Sequence, residues 1–97
     1  MNKLHNPSTD KLFRAVLGLE TIEDCYKFFE DICTIKELTD LSQRLAVADL
    51  LSLGKSYQEI SKETGASTTT ISRVNKCLNY GSGGYEAAIK KLNTEDK

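Results

Sequence analysis

The segment "SYQEISKETGASTTTISRVNKCL", residues 56–78, decides the fold of this 97-residue chain. Ser56 and Glu59 form the S-x-x-E pattern of a capping box, which predicts that a helix begins directly after Ser56. Gly65 can take the left-handed conformation that a sharp turn between two helices requires. Ser67 is suited to the N-cap of a following helix. The segment therefore predicts two short helices joined by a glycine turn.

The second of these helices has two chemically different faces. Ile71, Val74 and Leu78 follow the i, i+3, i+7 spacing of one buried face. Three short hydroxyl side chains at its start point away from that face: Thr68, Thr69 and Ser72. Small side chains let a helix approach base edges in the major groove, where hydroxyls hydrogen-bond and a threonine methyl contacts a thymine methyl. The arrangement is typical of a DNA-binding helix-turn-helix.

Local charge favours the same interpretation. The whole chain has a net charge of −1, but residues 55–80 carry four basic side chains against two acidic ones. We expect Arg73 and Lys76 to lie where phosphates pass, with Lys62 and Gln58 as further contacts. The alternative is an ordinary helical hairpin in which the polar residues only cap a helix. The predicted DNA contacts are Gln58, Lys62, Ser67, Thr68, Thr69, Ser72, Arg73 and Lys76.

The chain before this motif is also predicted to be helical. Residues 1–8 lack periodicity and are interpreted as a flexible arm, followed by a helix over residues 9–19. Thr21 is the expected N-cap of a second helix. That helix has two apolar faces, with Phe28 lying off the main one. The second face is buried either against another copy of the protein or in a single-chain core.

A third helical region is expected between Thr34 and Gly54. Thr34 and Glu37 form a second capping box, and a second set of helix-start residues follows at Thr39, Asp40 and Ser42. We therefore predict a short helix, a break near Asp40 to Ser42, and another helix ending before Gly54. The expected inward face comprises Leu41, Leu45, Ala48, Leu50 and Leu51.

The predicted organisation is a single helical domain over residues 9–92. Residues 9–53 would supply dimerisation and core helices, 56–79 the helix-turn-helix, and 84–92 a C-terminal helix after a glycine-rich connector. Residues 93–97 are predicted to be a disordered tail.

Several function classes lack support in the sequence. The single histidine, His5, lies in the arm without a clustered acid, base or nucleophile, so we predict no catalytic site. The three cysteines lack C-x-x-C spacing, so we predict neither a disulfide framework nor a metal site, and no cofactor; they are interpreted as packing residues. No apolar stretch approaches the roughly 18 residues of a spanning helix. We predict a cytoplasmic protein without a membrane partner.

The stretch from Cys33 to Leu78 resembles the Trp repressor family, and within it the tryptophan repressor-like proteins of the YerC/YecD type. The resemblance rests on "LTDLSQRLAVADLLSLGKSYQEISKETGAS" and "TTTISRVNKCLN". It implies an all-α, intertwined homodimer whose two helix-turn-helix heads reach successive major grooves. It also implies that Thr68, Thr69 and Ser72 contact bases.

The resemblance further implies a ligand pocket. In the repressor proper, tryptophan binds beneath the DNA-binding head between two arginines, and Arg44 and Arg73 match these positions. Thr70 matches a pocket-lining threonine, whereas Val74 replaces a glycine and Cys77 a serine. Because valine is larger than glycine, we predict that tryptophan is not the effector. Either an unidentified small molecule uses a reshaped pocket, or the Val74 side chain fills it.

We therefore predict a homodimeric, sequence-specific, repressor-like regulator that binds a double-stranded DNA operator without enzymatic activity. The alternative hypothesis is a helical adaptor that uses the same motif to bind a protein or RNA. The net charge of −1 supports this alternative, because dedicated DNA-binding domains are often more basic.

Overall fold

The computed structural model describes residues 5–95. This part of the chain is all-α, as predicted, and contains no strand. The six helices are α1 (Pro7–Leu17), α2 (Ile22–Ile32), α3 (Ile35–Ser52), α4 (Tyr57–Thr64), α5 (Thr68–Tyr80) and α6 (Gly84–Glu95). Within the described range, none of them combines the length and apolar character needed to cross a membrane.

Helix α1 begins two residues earlier than predicted. The Asn6 side chain accepts a hydrogen bond from the Thr9 amide at 2.8 Å, and Pro7 occupies the first turn. Proline is tolerated there because its fixed φ suits the helix and its missing N–H is not needed. The prediction of a flexible arm is therefore wrong for residues 7 and 8, while its first four residues lie outside the described range. The helix also ends at Leu17 rather than at residue 19.

Helix α2 begins where the sequence predicted. The Thr21 hydroxyl accepts from the Asp24 amide at 3.0 Å, so Thr21 is the N-cap. The rings of Phe28 and Phe29 meet edge to face, with centroids 5.4 Å apart. Neither α1 nor α2 contains a buried residue, although both are amphipathic.

The predicted break near Asp40 is wrong, because α3 runs continuously through residues 35–52. The Thr34 and Glu37 capping box that opens it is confirmed, with reciprocal bonds of 2.8 and 3.0 Å. Asp40 and Ser42 have N-cap chemistry, but residues 35–53 contain no glycine or proline that would interrupt the backbone hydrogen bonds of the helix. Residues with N-cap chemistry do not by themselves interrupt a helix.

The buried face of α3 is shifted from the predicted one. Ala48 is fully buried as expected, but so is Val47, which was not predicted. Leu41 and Leu45 are 43% and 37% exposed, so their assignment to the core of the chain is wrong. A small rotation of a helix about its axis changes which of its own side chains are buried. Apolar spacing alone does not fix that rotation.

Contacts divide the chain into two compact units, one up to Leu38 and one from Thr39 onward. The core described here belongs to the second unit: Val47, Ala48, Ile60, Ala66, Ile71, Val74 and Ile89, with Leu50, Leu51 and Tyr85 packed against it. The single domain over residues 9–92 stays a prediction.

The last helix is longer than predicted. Helix α6 continues to Glu95, and the Thr94 hydroxyl donates to the Lys90 carbonyl at 3.0 Å. The disordered tail is thus wrong for residues 93–95, and residues 96 and 97 lie outside the described range.

The turn between α4 and α5 is set by Gly65, whose φ is +75°. Its amide donates to the Ser61 carbonyl at 2.8 Å, which closes the C-terminus of α4. The Ser61 hydroxyl donates to the Ala66 carbonyl at 2.8 Å, and the Ala66 amide donates to the Thr64 hydroxyl at 3.1 Å. Gln43 of α3 donates to the Thr64 carbonyl at 3.1 Å. These bonds fix the α4–α5 turn without a flexible loop.

We expect Gly65→Ala to lower the free energy of unfolding by about 1–2 kcal/mol, because a Cβ is disfavoured in the left-handed region. Urea unfolding at one fixed protein concentration measures the change. Gly84→Ala is the matched control: its φ is not positive and its added Cβ meets no atom within 4 Å, so it should be nearly neutral or slightly stabilising. Equal effects of the two substitutions would contradict this account of the turn.

Candidate nucleic-acid interface and adjoining cavity

Ser67 caps the N-terminus of α5. Its hydroxyl accepts from the Thr70 amide at 3.2 Å and donates to the Thr70 hydroxyl at the same distance. Ser67 is therefore the N-cap of α5, as predicted, and its side chain forms hydrogen bonds within the first turn of the helix. The capping box at Ser56 and Glu59 opens α4 as predicted, with bonds of 3.4 and 3.2 Å.

The back of α5 is buried. Ile71 and Val74 are at most 2% exposed, and Leu78 is partly buried. These residues belong to one side of the helix because they follow helical spacing. Thr69, Ser72, Arg73 and Lys76 occupy the opposite side, at i, i+3, i+4 and i+7.

The structure leaves every predicted DNA contact accessible. On α4 these are Gln58 and Lys62; at the start of α5 and along it they are Ser67, Thr68, Thr69, Ser72, Arg73 and Lys76. A side chain buried inside the molecule could not reach a duplex, so exposure is a necessary condition for their proposed role. Their role in binding stays a prediction.

Helix α5 contains no acidic residue, whereas α4 contains Glu59 and Glu63. The sequence contains no acidic residue between Glu63 and Glu86. Lys55 pairs with Glu59 at 3.8 Å. Within residues 5–95, Lys62, Arg73 and Lys76 have no carboxylate oxygen within 4.0 Å. Three of the four local cations therefore have no acidic partner among residues 5–95, and all three are exposed.

A cavity of about 350 Å³ lies in the second unit beside α5. Its lining residues are Arg44, Thr70, Arg73, Val74, Cys77 and Tyr85. All five residues that the resemblance assigned to a ligand pocket thus line one cavity. Their ligand-binding role stays a prediction.

Tyr85 is the lining residue that the sequence analysis missed. It lies in the first turn of α6, directly after the glycine-rich connector. The spacing of Tyr85, Ala88, Ile89 and Leu92 follows one helix face, which was the available signal. Spacing predicted a packed face, but only the contact between α5 and α6 places the ring beside Cys77.

The two arginines give the cavity a cationic side. The sequence also allows an alternative role for Arg44, as a surface cation beside Asp40 or Asp49. Among the described residues neither Arg44 nor Arg73 has a carboxylate within 4.0 Å. Val74 also lines the cavity and packs into the core. The cavity therefore combines unpaired positive charge with an apolar wall.

The cysteines are less buried than predicted. Cys25 and Cys77 are exposed, and only Cys33 is partly buried, so the packing interpretation is wrong for the first two. In the described range, no group of three His, Cys, Asp or Glu side chains is arranged to hold a metal ion.

Comparison with known proteins agrees with this architecture. The family model described as Trp repressor protein matches residues 7–93. The uncharacterized protein YerC of Bacillus subtilis is 50% identical over 92 residues, which is 95% of this chain and 88% of that protein.

Two crystal structures extend the comparison to the fold. A TrpR-like protein from Eubacterium eligens gives a TM-score of 0.93 at 47% identity and covers 96% of each chain. A candidate Trp repressor from Staphylococcus aureus gives a TM-score of 0.91 at 46% identity, covering 94% of this chain and 91% of that one. These similarities confirm the resemblance and the TrpR-like helical fold.

Proposed function

Because the chain belongs to the Trp repressor family, we propose that it is a sequence-specific DNA-binding transcriptional regulator of the repressor type. It acts as a homodimer, with α4 and α5 as its helix-turn-helix. The observation that carries this proposal is the outer face of α5, where short hydroxyl side chains and unpaired cations stand opposite a buried apolar face.

The outer face of α5 suits the major groove sterically. A groove about 12 Å wide admits one α-helix, provided that the leading side chains are short. Thr68, Thr69 and Ser72 contact base edges in this proposal, with the threonine methyl groups available to thymine. The buried face that contains Ile71 holds the helix from behind. The hydroxyl face therefore meets the duplex as a rigid surface.

The cations and the amide of the helix pair supply contacts to the DNA backbone. Arg73 and Lys76 follow the hydroxyl residues along α5, while Gln58 and Lys62 lie on α4. Contacts to phosphates fix orientation without reading sequence, and each releases counterions. This division of roles explains how a chain with a net charge of −1 binds DNA. For DNA binding, the unpaired positive charge on α4 and α5 matters more than the net charge of the whole chain.

Self-association is supported by the exposed apolar side chains of the N-terminal helices. In α1 and α2, Phe13, Leu17, Ile22 and Tyr26 are all more than half exposed. Amphipathic helices with uncovered apolar faces are stabilised by burial against another surface. A second copy supplies that surface in our proposal. A dimer also presents two heads that can match half-sites one helical turn, about 34 Å, apart.

Tryptophan is not the effector in this proposal. The Val74 side chain is 2% exposed and occupies the cavity wall where the resembling repressor has glycine. An indole ring and a packed valine would compete for the same space, and overpacking costs about 1–3 kcal/mol. The cavity is therefore expected to exclude indole while admitting smaller or differently shaped molecules.

The DNA-binding proposal predicts selection of palindromic duplexes from a random pool at low salt. We expect affinity to fall steeply with salt, with Lys76→Ala lowering the salt slope by about 1 and weakening all sequences alike. Thr69→Ala should instead change base preference, by about 1–3 kcal/mol at its contacted position. Fluorescence anisotropy measures both effects.

The control for these variants is Lys91→Ala, which removes an exposed cation from α6 and should leave the affinity almost unchanged. If no duplex from the pool binds at low salt, the proposal fails. A protein partner that survives nuclease treatment and competes with DNA would support the adaptor hypothesis instead.

The dimer proposal predicts a sedimenting species of twice the chain mass at micromolar concentration. Tyr26→Ser removes an apolar side chain from α2 and should raise the dimer dissociation constant by about tenfold or more, given about 1.5–3 kcal/mol for burying such a side chain. Lys27→Ser, at the adjacent exposed position, should have little effect. A monomeric wild-type chain at these concentrations would refute the assembly.

The occlusion proposal predicts that Val74→Gly creates space for an indole ring. Tryptophan should then raise the melting temperature of the variant relative to its own ligand-free value, while leaving the wild type unmoved. Val74→Ala provides the control, since it shortens the side chain without restoring glycine. A wild-type response to tryptophan, or a Val74→Gly protein that responds to no indole ligand, would contradict occlusion.

A further inference from the structure

Tyr80, the last residue of α5, is the most exposed tyrosine of the chain. Its side chain is 86% exposed, whereas Tyr26 is 59% and Tyr57 is 37% exposed. Among residues 5–95 its hydroxyl has no hydrogen-bond partner, and its ring contacts no other aromatic ring. A tyrosine hydroxyl can both donate and accept a hydrogen bond. This hydroxyl is therefore available to a partner outside the chain.

Tyr80 continues the outer side of α5. The spacing from Thr69 to Tyr80 is about three full turns at 3.6 residues per turn, so the two positions lie within about 20° of each other around the helix axis. Arg73 and Lys76 lie between them on the same side. Leu78 is partly buried on the opposite side. The rotation of α5 that exposes the two cations therefore exposes Tyr80 as well.

The charge around Tyr80 suits an anionic partner. Helix α5 contains no acidic residue. Arg73 and Lys76, which precede Tyr80 on the same side, have no carboxylate oxygen within 4.0 Å in the part of the chain that the structure describes. A neutral hydroxyl that follows two cations on one side of a helix meets an anionic surface together with them.

The position of Tyr80 along α5 selects the part of a duplex that it can reach. Thr69 and Tyr80 are separated by about 16 Å at a rise of 1.5 Å per residue. The major groove is about 12 Å wide and about 8.5 Å deep. A helix that brings Thr69 to the base edges therefore brings Tyr80 to the level of the sugar–phosphate strand.

We propose that Tyr80 is a DNA-backbone contact whose hydroxyl donates a hydrogen bond to a phosphate oxygen at the rim of the groove. Tyrosine is one of the residues that position proteins on DNA through phosphates, and a hydrogen bond to an ionised acceptor is stronger than a neutral one. The inference rests on the proposed DNA-binding function and extends it. Base contacts at one end of α5 and Tyr80 at the other fix the tilt of the helix in the groove.

Tyr80→Phe tests the contact, because it keeps the ring and removes only the hydroxyl. On the duplex with the highest wild-type affinity, the dissociation constant should rise about tenfold or more. The same factor should apply to every duplex in the pool, because a phosphate contact does not read sequence. The salt slope should stay unchanged, because a neutral phenol releases no counterion. Fluorescence anisotropy over a salt series measures all three quantities.

The matched control is Asn79→Ala. It removes an exposed polar side chain from the same turn of α5 but on another side of the helix, where the Asn79 amide already donates to the Asn75 side chain at 3.2 Å. Its affinity for DNA should stay close to that of the wild type. Equal losses in Asn79→Ala and Tyr80→Phe would overturn the assignment to the hydroxyl.

Tyr80→Lys provides a second readout at the same position. A lysine there should neutralise one further phosphate and raise the salt slope by about 1 per protein chain. An unchanged slope would place residue 80 out of reach of the phosphates and overturn the inference. Sedimentation should give the wild-type dimer dissociation constant for both Tyr80 variants. A raised constant would assign Tyr80 to a contact between subunits instead.

Failure of the inference can be distinguished from failure of the proposed function. A wild-type chain that binds no duplex overturns both. A wild-type chain that binds DNA, with a Tyr80→Phe variant of equal affinity, overturns only the Tyr80 contact. A Tyr80→Phe variant with an altered base preference would place Tyr80 over base edges and would also overturn the backbone contact.

Discussion

The burial of one side of α5 is the constraint on which the rest of this molecule depends. Ile71 and Val74 lie in the same core cluster as Val47 of α3 and Ile60 of α4. Because they are three residues apart, they fix the rotation of α5 about its own axis. That rotation turns Thr69 and its neighbours along the opposite face toward solvent. The chemistry of the outer surface is thus a consequence of packing behind it.

The turn at Gly65 transmits this constraint to α4. The left-handed backbone of Gly65 is enough to change the direction of the chain. In addition, the hydroxyl groups of Ser61 and Thr64 form hydrogen bonds to the backbone of the turn. Gln43 adds a bond from α3 to the same turn. An unpaired buried backbone group costs about 1–3 kcal/mol, so these short side chains stabilise the junction. The helix pair is held as one unit against the core.

Residues of helix α5 contribute to two different surfaces. Its outer side forms the proposed DNA contact, while Thr70, Val74 and Cys77 contribute to a cavity on another side. Arg73 belongs to both, since it is exposed on α5 and also lines the cavity. The proposed DNA contact and the cavity therefore share one guanidinium group.

Local sequence was sufficient for most of the helix boundaries around the proposed site. The N-caps at Thr21, Ser56 and Ser67 and the left-handed Gly65 were predicted, because each depends on hydrogen bonds or backbone preferences within about four residues. The proposed DNA-contact residues came from the same local pattern. The cavity set came from resemblance to a family, not from spacing.

Tertiary structure decided what local pattern left open. It buried Val47, left Leu41 and Leu45 exposed, and brought Tyr85 beside the cavity. These outcomes depend on which helix faces meet, and that choice is a competition among contacts between residues far apart in the chain. Capping is determined by neighbours in sequence, whereas burial and cavities are determined by neighbours in space.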